Sequence, residues 1–221
     1  MSAETRRVRD RWREKSWCSV VSPPYFGGVE VGSVPCNDPS EMEGRVVETT
    51  LYGITGDFSQ SNLKLYFQVS GVKGARADTV FKGHEYSRDY LRSLVRRGSS
   101  RVDGIFDATT KDGYTLRVSI VIFPVARVRS SQRILLRQLM QNKVQEKVER
   151  LNFDQLVQEM VLDKIASEIY NEGKKICPLR HVGVRKSKLL LLPKEGEPRE
   201  KEVKPVPEEG EDTAEPSERE Q

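Results

Sequence analysis

Leu63, Leu65, Phe67 and Val69 alternate with Lys64, Tyr66, Gln68 and Ser70, and a side-chain period of two commits such a run to a half-buried β-strand. Tyr114, Leu116, Val118, Ile120 and Ile122 repeat the pattern against Thr115, Arg117 and Ser119. Asp112-Gly113 directly precedes this second run, and a dipeptide that tolerates positive φ there predicts a hairpin with a strand near 101–109. Weaker alternation over 45–54 and 76–82 adds two more strands. Five strands with short connections predict an antiparallel sheet, curled or closed as a small β-barrel.

One short helix is expected among these strands. Ser87 is suited to its N-cap, Asp89 to its positive first turn and Gly98 to its C-terminal stop. After the strands the period changes. Leu135, Leu139, Val144 and Val148 predict a long helix capped by Ser130 or Ser131. A second long helix follows, with Asn152 as cap, Gln155 as its N3 partner and Leu151 stapled onto Leu156. Its apolar stripe is Phe153, Leu156, Val157, Met160, Val161, Ile165 and Ile169, and Gly173 with Lys174 and Lys175 ends it. From Pro178 a last extended run passes through Val182 and Val184 to Leu192. The expected class is α+β: a curled sheet or small barrel with one inserted short helix, then two long helices and a final strand.

Charge is unevenly distributed. Residues 194–221 carry net −6, with four prolines, two glycines and no aromatic residue, while residues 1–193 carry net +10. Neither that acidic tail nor the basic arm 1–11 has apolar surface enough to offset the entropy of ordering, so one α+β domain is expected over 12–193. A basic body suits a polyanionic partner better than a neutral small substrate. No apolar stretch reaches the roughly 18 residues of a membrane-spanning helix. The opening Ser2-Ala3-Glu4-Thr5-Arg6-Arg7 lacks an apolar core, so no secretory signal is expected. Cys18, Cys36 and Cys177 are odd in number and widely spaced, which suits ordinary thiols in a reducing compartment.

Catalytic sets are not evident. His84 and His181 stand about a hundred positions apart among apolar or basic residues, without the clustered ligands or carboxylate that metal or acid–base chemistry needs. Gly27-Gly28 and Gly53-Ile54-Thr55-Gly56-Asp57 match no phosphate-binding loop. No cofactor, metal or small-molecule substrate is expected.

Basic clusters are evident. Arg88, Arg92 and Arg96 fall at i, i+4 and i+8 of the short helix, opposite Leu91, Leu94 and Val95. Arg97 and Arg101 extend that face through Ser99 and Ser100, whose hydroxyls can also meet phosphate oxygens. A second cluster, Arg6, Arg7, Arg9, Arg11, Arg13 and Lys15, is interleaved with Trp12 and Trp17, of which Trp17 suits either base stacking or docking on its own domain. A third, Arg127, Arg129, Arg133 and Arg137, lies where the strands give way to helices. Solvated helix faces usually mix signs. The short helix has only Asp89 and Asp103 nearby, and RNA phosphate is the expected contact.

Long runs also match a known family. Trp12-Arg13-Glu14-Lys15-Ser16-Trp17 with Tyr25-Phe26-Gly27, and Gly44-Arg45-Val46-Val47-Glu48-Thr49-Thr50-Leu51-Tyr52 leading to Thr55-Gly56-Asp57-Phe58-Ser59, are two of them. Gly83-His84-Glu85, Ser87-Arg88-Asp89-Tyr90-Leu91-Arg92-Ser93-Leu94, Arg96-Arg97 and Ser99-Ser100 are the most specific; Thr109-Thr110-Lys111-Asp112-Gly113-Tyr114 and Pro178-Leu179-Arg180 complete the set. Over about residues 10–193 the chain resembles the S-three-Ae family of archaeal and eukaryotic small-subunit ribosomal proteins, in a version of archaeal type. The resemblance implies a cytoplasmic structural constituent of the small ribosomal subunit. It would bind small-subunit rRNA on the platform near the messenger exit, beside neighbouring ribosomal proteins and with messenger RNA as a further contact. Two other classes compete: a free RNA-binding translational regulator, and an RNA-processing enzyme.

The charge asymmetry has a measurable consequence. Deleting residues 194–221 is expected to leave the thermal midpoint nearly unchanged and to tighten non-specific RNA binding at low salt, since net −6 is removed. Melting curves and low-salt filter binding check it; a large fall in Tm would mean that the segment packs on the body.

Overall fold

The computed structural model describes Trp12 and residues 15–192. Its elements, in chain order, are β1 (Ser16–Val21), β2 (Glu30–Cys36), β3 (Val46–Thr50), α1 (Tyr52–Thr55), β4 (Leu63–Lys73), β5 (Arg76–Tyr86) and α2 (Arg88–Leu94). There follow β6 (Val102–Thr109), β7 (Thr115–Pro124), α3 (Ser130–Arg150), α4 (Phe153–Val161), α5 (Lys164–Gly173) and β8 (Leu179–Leu191). The class is α+β, as the periodicities require. The arm 1–11 and the tail 194–221 lie outside the described residues.

Of the two expected forms, an open curled sheet or a closed barrel, the sheet takes the open one. Eight strands run in the order β2-β1-β5-β8-β7-β6, with β4 also against β5 and β3 beyond it. It is open, because β2, β3 and β6 each pair with a single neighbour. It is mixed, because β1 pairs with β5 in parallel over Ser19–Val21. The β1–β2 hairpin was not evident from periodicity: β1 is six residues long, and β2 is an edge strand with Gly32 and Pro35 in it. The expected strand over 45–54 stops at Thr50 because Leu51 turns into the core, and Thr55 Oγ1 donates to its carbonyl at 3.0 Å. Gly56, at φ 74°, then closes the single turn of α1.

Helices α3, α4 and α5 supply the second layer. Leu116, Val118, Ile120 and Ile122 of β7 share one buried cluster with Leu136, Met140, Val144 and Val148 of α3. The α3 stripe is one residue out of the expected phase: Leu136 and Met140 are buried, Leu135 is exposed and Leu139 only half-buried. Ile134-Leu135-Leu136 offers three starting points, and the four-residue spacing back from Val144 selects the last. The apolar stripe from Phe153 to Ile169 is buried as expected, but its helix is broken. Asp163, at φ 55°, separates α4 from α5, and its carboxylate accepts from Tyr86 Oη at 3.0 and 3.1 Å. Nor does the Asn152 side chain cap α4. Asp112, from the β6–β7 turn, accepts from Phe153 N at 2.8 Å, and Tyr114 stacks on the Phe153 ring at 4.2 Å.

The two halves of the sheet meet at β5. One edge of this strand pairs with β1 through Arg76–Asp78 and, further along, with β8 through Gly83–Glu85. At this second join a Cβ on Gly83 would stand 2.3 Å from Ser187 O, so only glycine lets the backbones meet. Beside it His84 N donates to Ser187 Oγ at 3.1 Å, Ser187 Oγ lies 2.7 Å from His84 Nδ1, and His84 Nε2 lies 3.2 Å from Val184 O. One assignment satisfies all three: Nε2–H donates to the carbonyl while the serine hydroxyl donates to Nδ1.

Burial holds the His84 imidazole neutral, with its pKa lowered to about 4 although the Val184 carbonyl pulls the other way. The unfolded chain protonates near the ordinary value of about 6.5 and so binds more protons between the two. This contribution to stability is complete above about pH 6.5 and is lost as pH falls toward 4. Between those limits the parent is expected to lose about 3 kcal/mol more than His84→Gln. Urea unfolding of both proteins across that range measures it, and equal pH slopes would assign the acid sensitivity to another group.

Candidate nucleic-acid interface

Ser87 caps α2 as expected, its Oγ accepting from Tyr90 N at 3.3 Å. Arg88 and Arg92 stand exposed one turn apart. The helix then ends earlier than its spacing suggests. Val95 is extended and 53% exposed, so Arg96 lies beyond the helix and Gly98, at φ 80°, turns the following loop. Arg180 at the start of β8 donates through Nη2 to Leu94 O and fixes the helix end. Leu91 and Leu94 are half-buried, not fully buried.

The loop after α2 meets the loop before α3. Ser100 N donates to Ala126 O at 3.4 Å, and its buried Oγ accepts from Val128 N at 3.1 Å and from Arg133 Nη2 at 3.4 Å. Arg137 Nε donates to Asp103 O at 3.2 Å, tying the next turn of α3 to β6. Two arginine clusters far apart in the chain are thereby one surface: Arg96, Arg97 and Arg101 from one loop, Arg127, Arg129, Arg133 and Arg137 from the other. The Ser99 hydroxyl is turned inward, donating to Arg96 O at 2.8 Å, and Ser100 organises the surface from beneath. Arg101 pairs with Asp103 at 3.0 Å. Among the described residues Arg88, Arg92, Arg96, Arg97, Arg127, Arg129, Arg133 and Arg137 form no ion pair.

Helix polarity sharpens this contrast. From Ser130 to Gln145, α3 has no acidic residue, so Arg129, Arg133 and Arg137 crowd the positive end of its dipole. In the other half of the helix Lys143 pairs with Glu146 and Glu172, and Lys147 with Glu159 and Glu168. The lysines of α3 are thus paired with carboxylates, whereas its N-terminal arginines hydrogen-bond only to neutral groups among the described residues. The N-cap of α3 is Arg129, not Ser130 or Ser131, and its backbone N donates to Gln132 Oε1 at 3.2 Å.

Of the arm, Lys15 Nζ lies 4.0 Å from the Trp12 ring centre, and Trp17 is 63% exposed at the start of β1. Arg6, Arg7, Arg9, Arg11 and Arg13 lie outside the described residues. Among the described residues no three His, Cys, Asp or Glu side chains are grouped as a metal site. A half-open cavity of about 160 Å³ between Leu51, Asn62, Tyr86 and Asp163 has one charged wall residue, Asp163, already held by Tyr86. Two features were not foreseen: Arg180 as the brace behind α2, and the junction at Ser100 that brings the third arginine cluster against the loop after α2. Pro178-Leu179-Arg180 was visible as a motif, but its contact depends on the β8 pairing.

Comparison with known proteins agrees with this architecture. Residues 3–193 match the Ribosomal S3Ae family. The small ribosomal subunit protein eS1 of Desulfurococcus amylolyticus is 50% identical over 194 residues, covering 87% of this chain and 91% of that protein. Its namesake from Staphylothermus marinus is 48% identical over 84% of this chain and 88% of its own. That from Saccharolobus solfataricus is 46% identical over 87% and 93%. The chain belongs to the Ribosomal S3Ae family.

Substitutions separate grip from scaffold. Arg92→Glu is expected to weaken RNA binding while changing stability by no more than about 0.5 kcal/mol, as exposed sites do. Arg92→Lys should lose less, keeping the charge without the fork. Ser100→Ala should cost about 1–3 kcal/mol by leaving Val128 N–H unpartnered, and Leu91→Ala less than the 2–5 kcal/mol of a fully buried leucine. Melting curves and filter-binding titrations on the four variants test this; parental RNA affinity in Arg92→Glu would make α2 an ordinary solvated face.

Proposed function

We propose that this protein is a structural constituent of the small ribosomal subunit that binds small-subunit rRNA through the arginine surface joined at Ser100. The observation that carries the reading is the contrast in pairing. Among the described residues, two loops and a helix N-terminus bring together Arg96, Arg97, Arg127, Arg129, Arg133 and Arg137, which form no ion pair, while the lysines of the same helix are neutralised by ion pairs. Uncompensated like charge is unfavourable in the free protein, and a phosphate backbone turns it into attraction by counterion release. Relatives at 46–50% identity bear the name small ribosomal subunit protein, which supports reading the RNA as that of the small subunit.

Within this reading the basic arm adds contacts with Arg6, Arg7, Arg9, Arg11, Arg13, Lys15 and Trp17, and the protein acts in the cytoplasm as part of the ribosome, without catalysis. Position on the platform near the messenger exit, contacts with neighbouring ribosomal proteins and contact with messenger RNA follow from the family resemblance.

Log K for an rRNA fragment should fall linearly with log salt, by about 0.7–0.9 per phosphate contact. Arg97→Glu with Arg127→Glu should flatten that slope by about two contacts, whereas Arg45→Glu, whose parent side chain pairs with Glu41, should leave it unchanged. Salt-independent binding would overturn the electrostatic reading. Sedimentation through high-salt sucrose distinguishes a stable constituent, which stays with the subunits, from a free regulator, which does not.

A further inference from the structure

Three thiols remain outside the RNA-binding surface. Cys177 is buried by itself in the main core. Cys18 and Cys36 are a pair: both buried, on adjacent strands, with their sulfurs 2.9 Å apart. They belong to a small satellite cluster with Val20, Met42, Val69 and Ala77, separate from the core under the helices. So small a cluster adds little hydrophobic stabilisation at the Cys18–Cys36 end of the β1–β2 hairpin. The hairpin ladders onto the sheet through three residue pairs on β5 and packs on the main core through Tyr25, Phe26 and Val31 at its other end.

We propose that Cys18 and Cys36 are a disulfide site that staples β1 to β2 at the root of the amino-terminal arm. A bond of about 2.05 Å needs the sulfurs to close by less than 1 Å. The register puts Ser16 opposite Cys36 and Val34 opposite Cys18, so the cysteines are diagonal neighbours. Closure therefore needs a small shear of one strand. Cys36 is the last residue of edge strand β2, where the backbone can shift without disturbing a further ladder pair.

The oxidant is the disulfide of a small thiol. Local opening of β2 exposes Cys36, whose thiolate attacks one sulfur of that disulfide, expels one thiolate and leaves a mixed disulfide. The Cys18 thiolate then attacks Cys36 Sγ, forms the protein bond and expels the second thiolate. Two protein thiols are oxidised, one external disulfide is reduced to two thiols, and both protons pass to the departing thiolates. The hydrogen bond shared with Cys36, then burial, raises the Cys18 pKa, so exchange is faster at mildly alkaline pH.

The full-length folded protein, incubated with glutathione disulfide at mildly alkaline pH, tests this without any substitution. Thiols counted in denaturant should fall from three to one. Intact mass should drop by two hydrogens with no glutathione attached, a peptide map should join Cys18 to Cys36, and dithiothreitol should reverse all three. Cys177→Ser should still form the bridge, and neither Cys36→Ser nor Cys36→Ala should. The cross-link spans a sequence separation of 18, so oxidation should raise Tm by about 5–10 °C. Three surviving thiols, a bridge through Cys177, or glutathione held on Cys36 without ring closure would each overturn the site; a bridge without a rise in Tm would overturn the staple. Every outcome is independent of whether the RNA-binding reading holds.

Discussion

Three residue pairs hold the two halves of this sheet together. Gly83, His84 and Glu85 on β5 face Lys188, Ser187 and Lys186 on β8, and through them the β1–β2 and β3–β4 strands share one sheet with β6, β7 and β8. Each pair does something different. Gly83 permits the approach, His84 locks it with hydrogen bonds at both ring nitrogens, and Glu85 binds Lys186 at 2.8 Å nearby. A neutral histidine suits this place because one ring nitrogen can accept while the other, on the far side of the ring, donates. Both of its partners, the Ser187 hydroxyl and the Val184 carbonyl, belong to β8, so the ring ties one strand to the other.

The same economy marks the arginine surface. Its geometry is set by neutral groups: a serine hydroxyl, two backbone amides and two carbonyls. A scaffold built from carboxylates would have neutralised the cations it was arranging. Ser100 instead uses its one oxygen to hold both loops and leaves the guanidinium charge available. Most of the charged groups that do pair serve to hold elements together, as Lys147 does between α3, α4 and α5.

Much of the fold was legible in sequence because β4, β7 and the stripe of α4 and α5 each carry an unambiguous period, the Asp112-Gly113 turn supplies β6 as the hairpin partner of β7, and an extended run after Pro178 marks the last strand. What was not legible depended on distant partners. The α3 stripe could begin at any of three adjacent apolar residues, and packing against β7 chose between them. The break at Asp163 has no glycine or proline to announce it; the Tyr86 hydroxyl, 77 positions away, holds the carboxylate there. At the surface, sequence identified the arginine groups by composition but could not show that two of them are adjacent, since Ser100 and Val128 meet only after β6 and β7 have paired.

The cap on α4 bears on the order of events during folding. Nine residues make a helix too short to persist by itself in water. Its first amide is held by Asp112, 41 positions earlier, and its first ring lies on Tyr114. The turn that closes β6 onto β7 is therefore also the seat on which α4 starts. A chain emerging in order from its amino terminus has that hairpin complete before α4 exists, so the helix nucleates on a surface already made and spends no time searching for one.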